Sequence, residues 1–229
     1  MTKSGAKEKE SGEKTHAVER IAMIIKKLLK KILPEKLIWW LGSIFPAKPF
    51  LSDVAGSERL VEYGWVYNNL PKSGTILDIG ASGSWFAHSL ASLGYSANAV
   101  DWKKTKSTHP NLHCIQNDIA KLREPILYDA ITCISALEHI ALRENYVHII
   151  QNLQKYLKPD GILLVTVPCG VPKNLNGFVV FSVDAFEDAD YFRLITKGIW
   201  VKVDKDKVSK VNHENKDEVQ AIMCARIRR

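Results

Sequence analysis

Residues 75–101 read TILDIGASGSWFAHSLASLGYSANAVD, and the fold turns on how this stretch is punctuated. The apolar pair Ile76 and Leu77 runs into an acid, Asp78. A turn of small residues follows (Gly80, Ala81, Ser82, Gly83, Ser84), then a helical pattern, then a second strand that closes on Asp101. Such a turn lets main-chain N–H groups approach a ligand closely, and a helix starting behind it adds favourable partial charge. An acid at the tip of the second strand is placed to accept both hydroxyls of a ribose. The segment predicts half of a nucleoside-binding fold.

Outward from this stretch, strand and helix patterns alternate. A helix is expected near Glu58–Leu70, with strands near Thr75–Ile79, Ser96–Val100, Leu112–Gln116, Ala130–Ile134 and Ile162–Val167. Helices are expected near Trp85–Leu93 and Glu144–Leu157. Alternation of this kind implies a parallel sheet covered on both faces. Leu157-Lys158-Pro159-Asp160-Gly161 reads as a helix stop and turn before the apolar run ILLVTV. Near the end, Tyr191–Val203 and Glu218–Arg226 read as two strands joined by a charged hairpin, which calls for an antiparallel pair. The expected architecture is a three-layer α/β, Rossmann-like fold. Its sheet is mostly parallel and seven-stranded, with an antiparallel terminal strand and an N-terminal helical extension.

Charge divides the chain in a different way. The net charge is +7, yet residues 1–36 alone carry nine lysines and one arginine against five glutamates, and Arg226, Arg228 and Arg229 lie at the other end. The body between is close to neutral, which argues against a long nucleic-acid track. Residues 1–17 are polar and rich in Lys, Glu, Ser and Gly, as disordered tails are. In residues 18–57, Ile21, Ile24, Ile25, Leu28, Leu29 and Ile32 recur at helical spacing, with Lys26, Lys27, Lys30 and Lys31 on the other face. Trp39 and Trp40 follow. Three roles stay open for this segment: packing on the main domain at 58–229, a peripheral contact of residues 18–45 with an anionic membrane, or a partner or nucleic-acid contact. The lysines rule out a span, which needs roughly 20 apolar residues in a row. The four cysteines form no Cys-x-x-Cys pair, no metal-ligand spacing appears, and no secretory signal is evident. A reducing, cytoplasmic setting is expected, extending to the inner membrane surface if the helix binds it.

The residues from Glu58 to Arg226 resemble the class I S-adenosylmethionine-dependent methyltransferases. ILDIGASGS resembles that family's first motif, AVDW its acidic second-strand end, CIQNDI its adenine-contact segment, YDAITCISALEHI its fourth-strand motif, and LKPDGILLVTVP its fifth-strand turn. The wording around Glu138-His139-Ile140 is similar to a subgroup linked with glycan or cell-surface biosynthesis. The resemblance implies S-adenosylmethionine as cofactor. Asp78 would hold its methionine ammonium, and Gly80, Ala81, Ser82 and Gly83 would pass under the methionine and ribose. Asp101 would accept the ribose hydroxyls and Trp102 would pack on the adenine. Asp118 would accept the adenine amino group with help from the Ile119 main chain, and Ser135 would lie beside the sulfonium. Ser82 and Ser84 depart from the family's preference for glycine. Structural readings stand beside these: Asp78 as a turn cap, Asp101 as a strand-end acid, and Trp102 as a packing aromatic.

A nicotinamide oxidoreductase is the main rival on such a sheet. It should show G-x-G-x-x-G directly after the first strand, and an acid beside a pyrophosphate would repel it, whereas beside an ammonium it attracts. Methyl transfer from a sulfonium is an in-line displacement by a donor already activated, so positioning supplies much of the rate. Ser135-Ala136-Leu137-Glu138-His139 stands where amino-purine and glutamine methyltransferases show an N/D-P-P-Y motif, which points away from exocyclic amines and toward an oxygen, carbon or ordinary small-molecule acceptor, oxygen foremost. His139 is the candidate general base with Glu138 beside it; the alternative is that both fix the loop by hydrogen bonds. The acceptor would lie against residues Pro168–Gly177, read as a substrate-facing loop, with Lys173 and Asn174 meeting a polar or anionic group. The expected acceptor is a small molecule or a sugar, glycan or lipid-linked precursor. An RNA methyltransferase recruited by the basic N-terminus and a non-catalytic binding module tethered at a membrane remain alternatives.

Overall fold

The computed structural model describes residues 57–81, 85–123, 125–175, 177–196, 198–213 and 219–229, all within the compact unit Val54–Arg229. The expected tail at 1–17, nearly all of the helical extension at 18–57, and Ser82 and Gly83 lie outside the described residues.

The elements run α1 (Arg59–Asn69), β1 (Thr75–Ile79), α2 (Phe86–Ser92), β2 (Ser96–Asp101), β3 (Leu112–Gln116), β4 (Tyr128–Ile134), α3 (Leu137–Ile140) and α4 (Tyr146–Gln154). The second half is strand-rich: β5 (Leu157–Gly170), β6 (Lys173–Leu175), β7 (Phe178–Ser182), β8 (Ala189–Thr196), β9 (Ile199–Val203) and β10 (Ala221–Arg228). The sheet order is β3-β2-β1-β4-β5-β10-β8-β9, with β7 beside β5 and β6 beside β7. The first five strands are all parallel. Strand order reverses between β1 and β4, and in open sheets that reversal opens a crevice at the carboxyl ends.

Alternation along the central strands builds two cores. Ile76, Ala130, Leu164 and Ile222 face α1 and α2, packing with Trp65, Val66, Phe86 and Leu90. Leu77, Ile131, Leu163, Val165 and Met223 face the other side and pack with Ile149, Ile150 and Leu153 of α4. Strands covered on both faces must be apolar almost throughout, which is why TILDI and YDAITCI read as near-continuous apolar runs. Each fully buried Leu or Ile contributes about 1.5–3 kcal/mol relative to exposure.

The mostly parallel Rossmann-like sheet with antiparallel additions is the expected one, with differences in detail. Ten strands are present among the described residues rather than seven. The run Tyr191–Val203 is itself a hairpin, β8 paired with β9, because the chain reverses at Gly198, whose φ is 80°. Strand β10 then inserts antiparallel between β5 and β8, with Met223 opposite both Val167 and Tyr191. The segment Leu157–Gly161 belongs to β5 instead of a free turn: Tyr128 pairs with Leu157 and Ala130 with Ile162, so residues 158–161 bulge from the ladder. Pro168–Gly177 also differs from a loop, since Pro168–Gly170 ends β5 and β6 pairs with β7 as a hairpin.

Candidate active site

The acidic and small residues singled out in the sequence gather at the carboxyl edge of the parallel strands. Asp78, one residue before the end of β1, stands in register with Ala99 of β2 and Thr132 of β4. It is only 2% exposed, and Thr132 Oγ1 donates to its Oδ1 at 2.7 Å. Burial pushes its carboxyl up to about 7, against the pull of the Thr132 hydroxyl and the charge of Arg59. A buried carboxyl with one hydroxyl donor is a group that a cation would hold ionised.

The turn that follows needs its glycine. Gly80 has φ 75°, and a Cβ there would stand 2.6 Å from the Cβ of Ala136. Its N–H donates to the Val100 carbonyl at 2.9 Å, joined by Ala81 N–H at 3.3 Å. The first turn is thereby fixed between the ends of β2 and β4. Ala81 is buried beside it.

Asp101 ends β2, buried, and its Oδ1 accepts the Lys103 N–H at 2.7 Å. Its carbonyl accepts Asn117 N–H at 3.0 Å, which ties the ends of β2 and β3 together. Trp102 follows and is 71% exposed, with the Lys103 ammonium 5.1 Å from its ring centre. Asp118 is exposed beyond β3, just ahead of the short helix Ile119–Lys121. Asp78, Gly80, Ala81, Asp101 and Ser135 share the strand-end cluster. Trp102, Asp118 and Ile119 lie along its outer rim at the ends of β2 and β3.

Past β4, Ser135 adopts φ 43°, the one positive φ outside glycine among the described residues. Its hydroxyl donates to Glu62 Oε1 at 2.6 Å, and Thr166 Oγ1 donates to the same oxygen at 2.7 Å. Arg59 Nη1 donates to Glu62 Oε2 at 3.1 Å and to the Ile134 carbonyl at 3.2 Å. Helix α1 is thus stitched to the end of β4 and to β5 by the Arg59 guanidinium on the Ile134 carbonyl and by the Ser135 and Thr166 hydroxyls on Glu62. Glu62 is fully buried; burial raises its pKa while Arg59, Ser135 and Thr166 pull it down.

Glu138 and His139 of α3 face different surroundings. Glu138 is buried, with Oε2 lacking a hydrogen-bond partner, and burial pushes its carboxyl up to about 8. His139 is exposed; its Nδ1–H donates to the Gly177 carbonyl, and its ring meets Phe178 edge-on at 6.4 Å. A carbonyl can only accept, so Nδ1 carries a proton, and in the neutral ring Nε2 keeps a lone pair. Lys173 is engaged by Asn212 Oδ1, while Asn174 is exposed.

Arg59, Glu62, Thr132 and Thr166 did not emerge from the sequence as functional residues. One signal was available: Thr132 and Thr166 interrupt apolar strand runs, and buried hydroxyls require partners. Arg59 and Glu62 also form an i, i+3 charge pair on a helix whose next turn carries Trp65 and Val66.

The residues present suit a nucleoside with a cationic amino-acid tail: a buried carboxyl in want of a cation, a glycine cradle, and a strand-end acid beside it. Residues 56–205 match the family model described as a methyltransferase domain. The chain belongs to that methyltransferase family. S-adenosylmethionine is the donor the family uses. The chain is 32% identical over 109 residues to a ubiquinone biosynthesis O-methyltransferase of Rickettsia typhi, covering 44% of this chain and 43% of that protein. It is 30% identical over 109 residues to the protein of the same name from Rickettsia canadensis, covering 44% of each. The chain thus spans less than half the length of these curated relatives. Among solved structures, it resembles a coclaurine N-methyltransferase at a TM-score of 0.48 and 15% identity, over 59% of this chain and 51% of that one. The glycopeptide N-methyltransferase MtfA aligns at a TM-score of 0.45 and 9% identity, over 74% and 90%. Among the described residues of the methyltransferase domain, no three His, Cys, Asp or Glu side chains group as metal ligands. No described helix is long and apolar enough to cross a membrane.

Proposed function

We propose that this chain transfers a methyl group from S-adenosylmethionine to an oxygen of a small-molecule acceptor. The observation that carries the reading is Asp78: a buried carboxyl pushed up to about 7, at the switch point of a parallel sheet and directly before the Gly80 turn. When bound, the sulfonium supplies an activated methyl group that needs alignment more than chemical assistance.

The chain's own residues do the holding. Asp78 pairs with the methionine ammonium, and the Arg59 guanidinium on the same side of the sheet balances the carboxylate beside it. Asp101 accepts the ribose hydroxyls, Trp102 covers one face of the adenine, and Asp118 with the Ile119 main chain reads its amino edge. Ser135 borders the sulfonium. His139, with its Nε2 lone pair, takes the proton of the attacking hydroxyl; Glu138 shapes the loop and adds a second group that titrates near neutrality.

Oxygen as the receiving atom is supported by the names of the rickettsial relatives and by the SALEH segment at the end of β4. A sugar or lipid-linked glycan precursor, as the subgroup resemblance implies, falls within this class of hydroxyl-bearing acceptors. The test is incubation of the protein with methyl-labelled S-adenosylmethionine and a fractionated extract of the source cell. Label in the small-molecule or lipid-extractable fraction is the expected result. Label confined to RNA or protein overturns the acceptor class.

A further inference from the structure

The hydrogen bonds around Ser135 assign every available proton. Ser135 N–H donates to Thr166 Oγ1 at 3.1 Å and shares its other contact with the Thr166 carbonyl, also 3.1 Å. Because Thr166 Oγ1 accepts there, its single hydroxyl proton is left for Glu62 Oε1, 2.7 Å away. The Ser135 hydroxyl proton goes to the same oxygen at 2.6 Å. Arg59 occupies the other carboxylate oxygen and also holds the Ile134 carbonyl, the residue just before Ser135. The ring closes on a serine whose φ of 43° is costly for a residue with a side chain.

A hydroxyl whose proton is committed to a buried carboxylate offers only lone pairs to anything else that reaches it. Glu62 is fully buried, so its charge acts in a medium of low screening. Resting on the methyl-donor reading, we propose that Glu62 is a positioning residue: it takes the Ser135 hydroxyl proton, holds Ser135 at the strand end, and leaves Oγ as an acceptor that favours a positively charged sulfonium over a neutral thioether. Glu62 reaches the cofactor only through Ser135. Its partners come from Ser135, Thr166 and Arg59, and Glu58 and Glu138 are further acidic groups near it.

The property to measure is the ratio of affinities for S-adenosylmethionine and S-adenosylhomocysteine, which differ by one methyl group and one charge. Calorimetric titration of the full chain with each gives the wild-type ratio. Glu62→Gln should shift that ratio toward S-adenosylhomocysteine by about fivefold, the size of one ordinary net hydrogen bond. Ser135→Gly, which tolerates the φ of 43°, should shift it the same way. Adding Glu62→Gln to Ser135→Gly should change the ratio less than about twofold, since the intermediary is gone. A purely structural Glu62 would lower both affinities together and leave their ratio fixed, which overturns the proposal. Additive shifts in the double variant overturn it too. If Glu62→Gln does not fold, the Ser135→Gly ratio decides alone, an unchanged value counting against. Wild-type protein that binds neither nucleoside refutes the donor reading itself, a failure separate from an unmoved ratio.

Discussion

Asp78 and Glu138 are the two described carboxyls that burial pushes up to near neutrality, and Asp78 is the one at the end of β1. Its carboxyl sits at about 7 when buried and near 3.8 when free, so the folded chain holds a proton that the unfolded chain releases between those values. The contribution of this one carboxyl to stability is therefore greatest below the unfolded value and is lost as pH rises through about 7, by a few kcal/mol. Asp78→Asn should flatten that part of a urea-denaturation series taken between pH 4 and 8, and an unchanged slope would contradict the assignment. An ammonium ligand reverses the preference, because it binds the ionised form. Affinity for S-adenosylmethionine should accordingly rise as pH rises through 7, and calorimetry on Asp78→Asn should lose this dependence, which separates it from Glu138 titrating nearby. Asp101→Ala should weaken the same binding by about 1–3 kcal/mol through lost ribose hydrogen bonds; unchanged affinity would refute that role. Both acids were legible from sequence, since each ends a short apolar run. Glu62 and Arg59 were not, because the groups that give them meaning lie 73 to 104 positions away.

At the level of elements, the turn after β1 is the most constrained piece. Gly80→Ala would combine an unfavourable φ of 75° with an overlap at 2.6 Å against Ala136. A loss of about 1–3 kcal/mol is expected, read as a lower urea midpoint together with weakened donor binding. Wild-type behaviour in both would show that the turn relaxes freely. The central strands β1, β4 and β5 were readable because buried parallel strands need nearly unbroken apolar sequence. Strands β6, β8 and β9 were harder. Two prolines and two glycines in residues 168–177 read as a loop, although Lys173–Leu175 pairs with β7. The turn through Gly198 was hidden inside a run whose alternation continues on both sides.

Across the whole molecule, β10 is what joins the parallel half to the antiparallel half. It is hydrogen-bonded to β5 on one side and β8 on the other, and its residues Met223 and Cys224 are fully buried, one in each core. Pairing with residues some 60 positions earlier cannot be inferred from local pattern, so the sequence yielded an antiparallel pair but not its insertion. Met223→Ala should cost about 2–5 kcal/mol, seen as a drop in thermal midpoint for the whole domain in a single transition. A separate early transition would mean that the β8–β10 region folds independently.

The central claim is that the carboxyl edge of β1, β2 and β4 is a methyl-donor site. Calorimetric titration of the full chain with S-adenosylmethionine tests it most directly. Saturable binding at one site per chain, weakened several-fold but still measurable in Asp78→Asn, is the expected result. Absence of binding, or binding that Asp78→Asn leaves untouched, would contradict it.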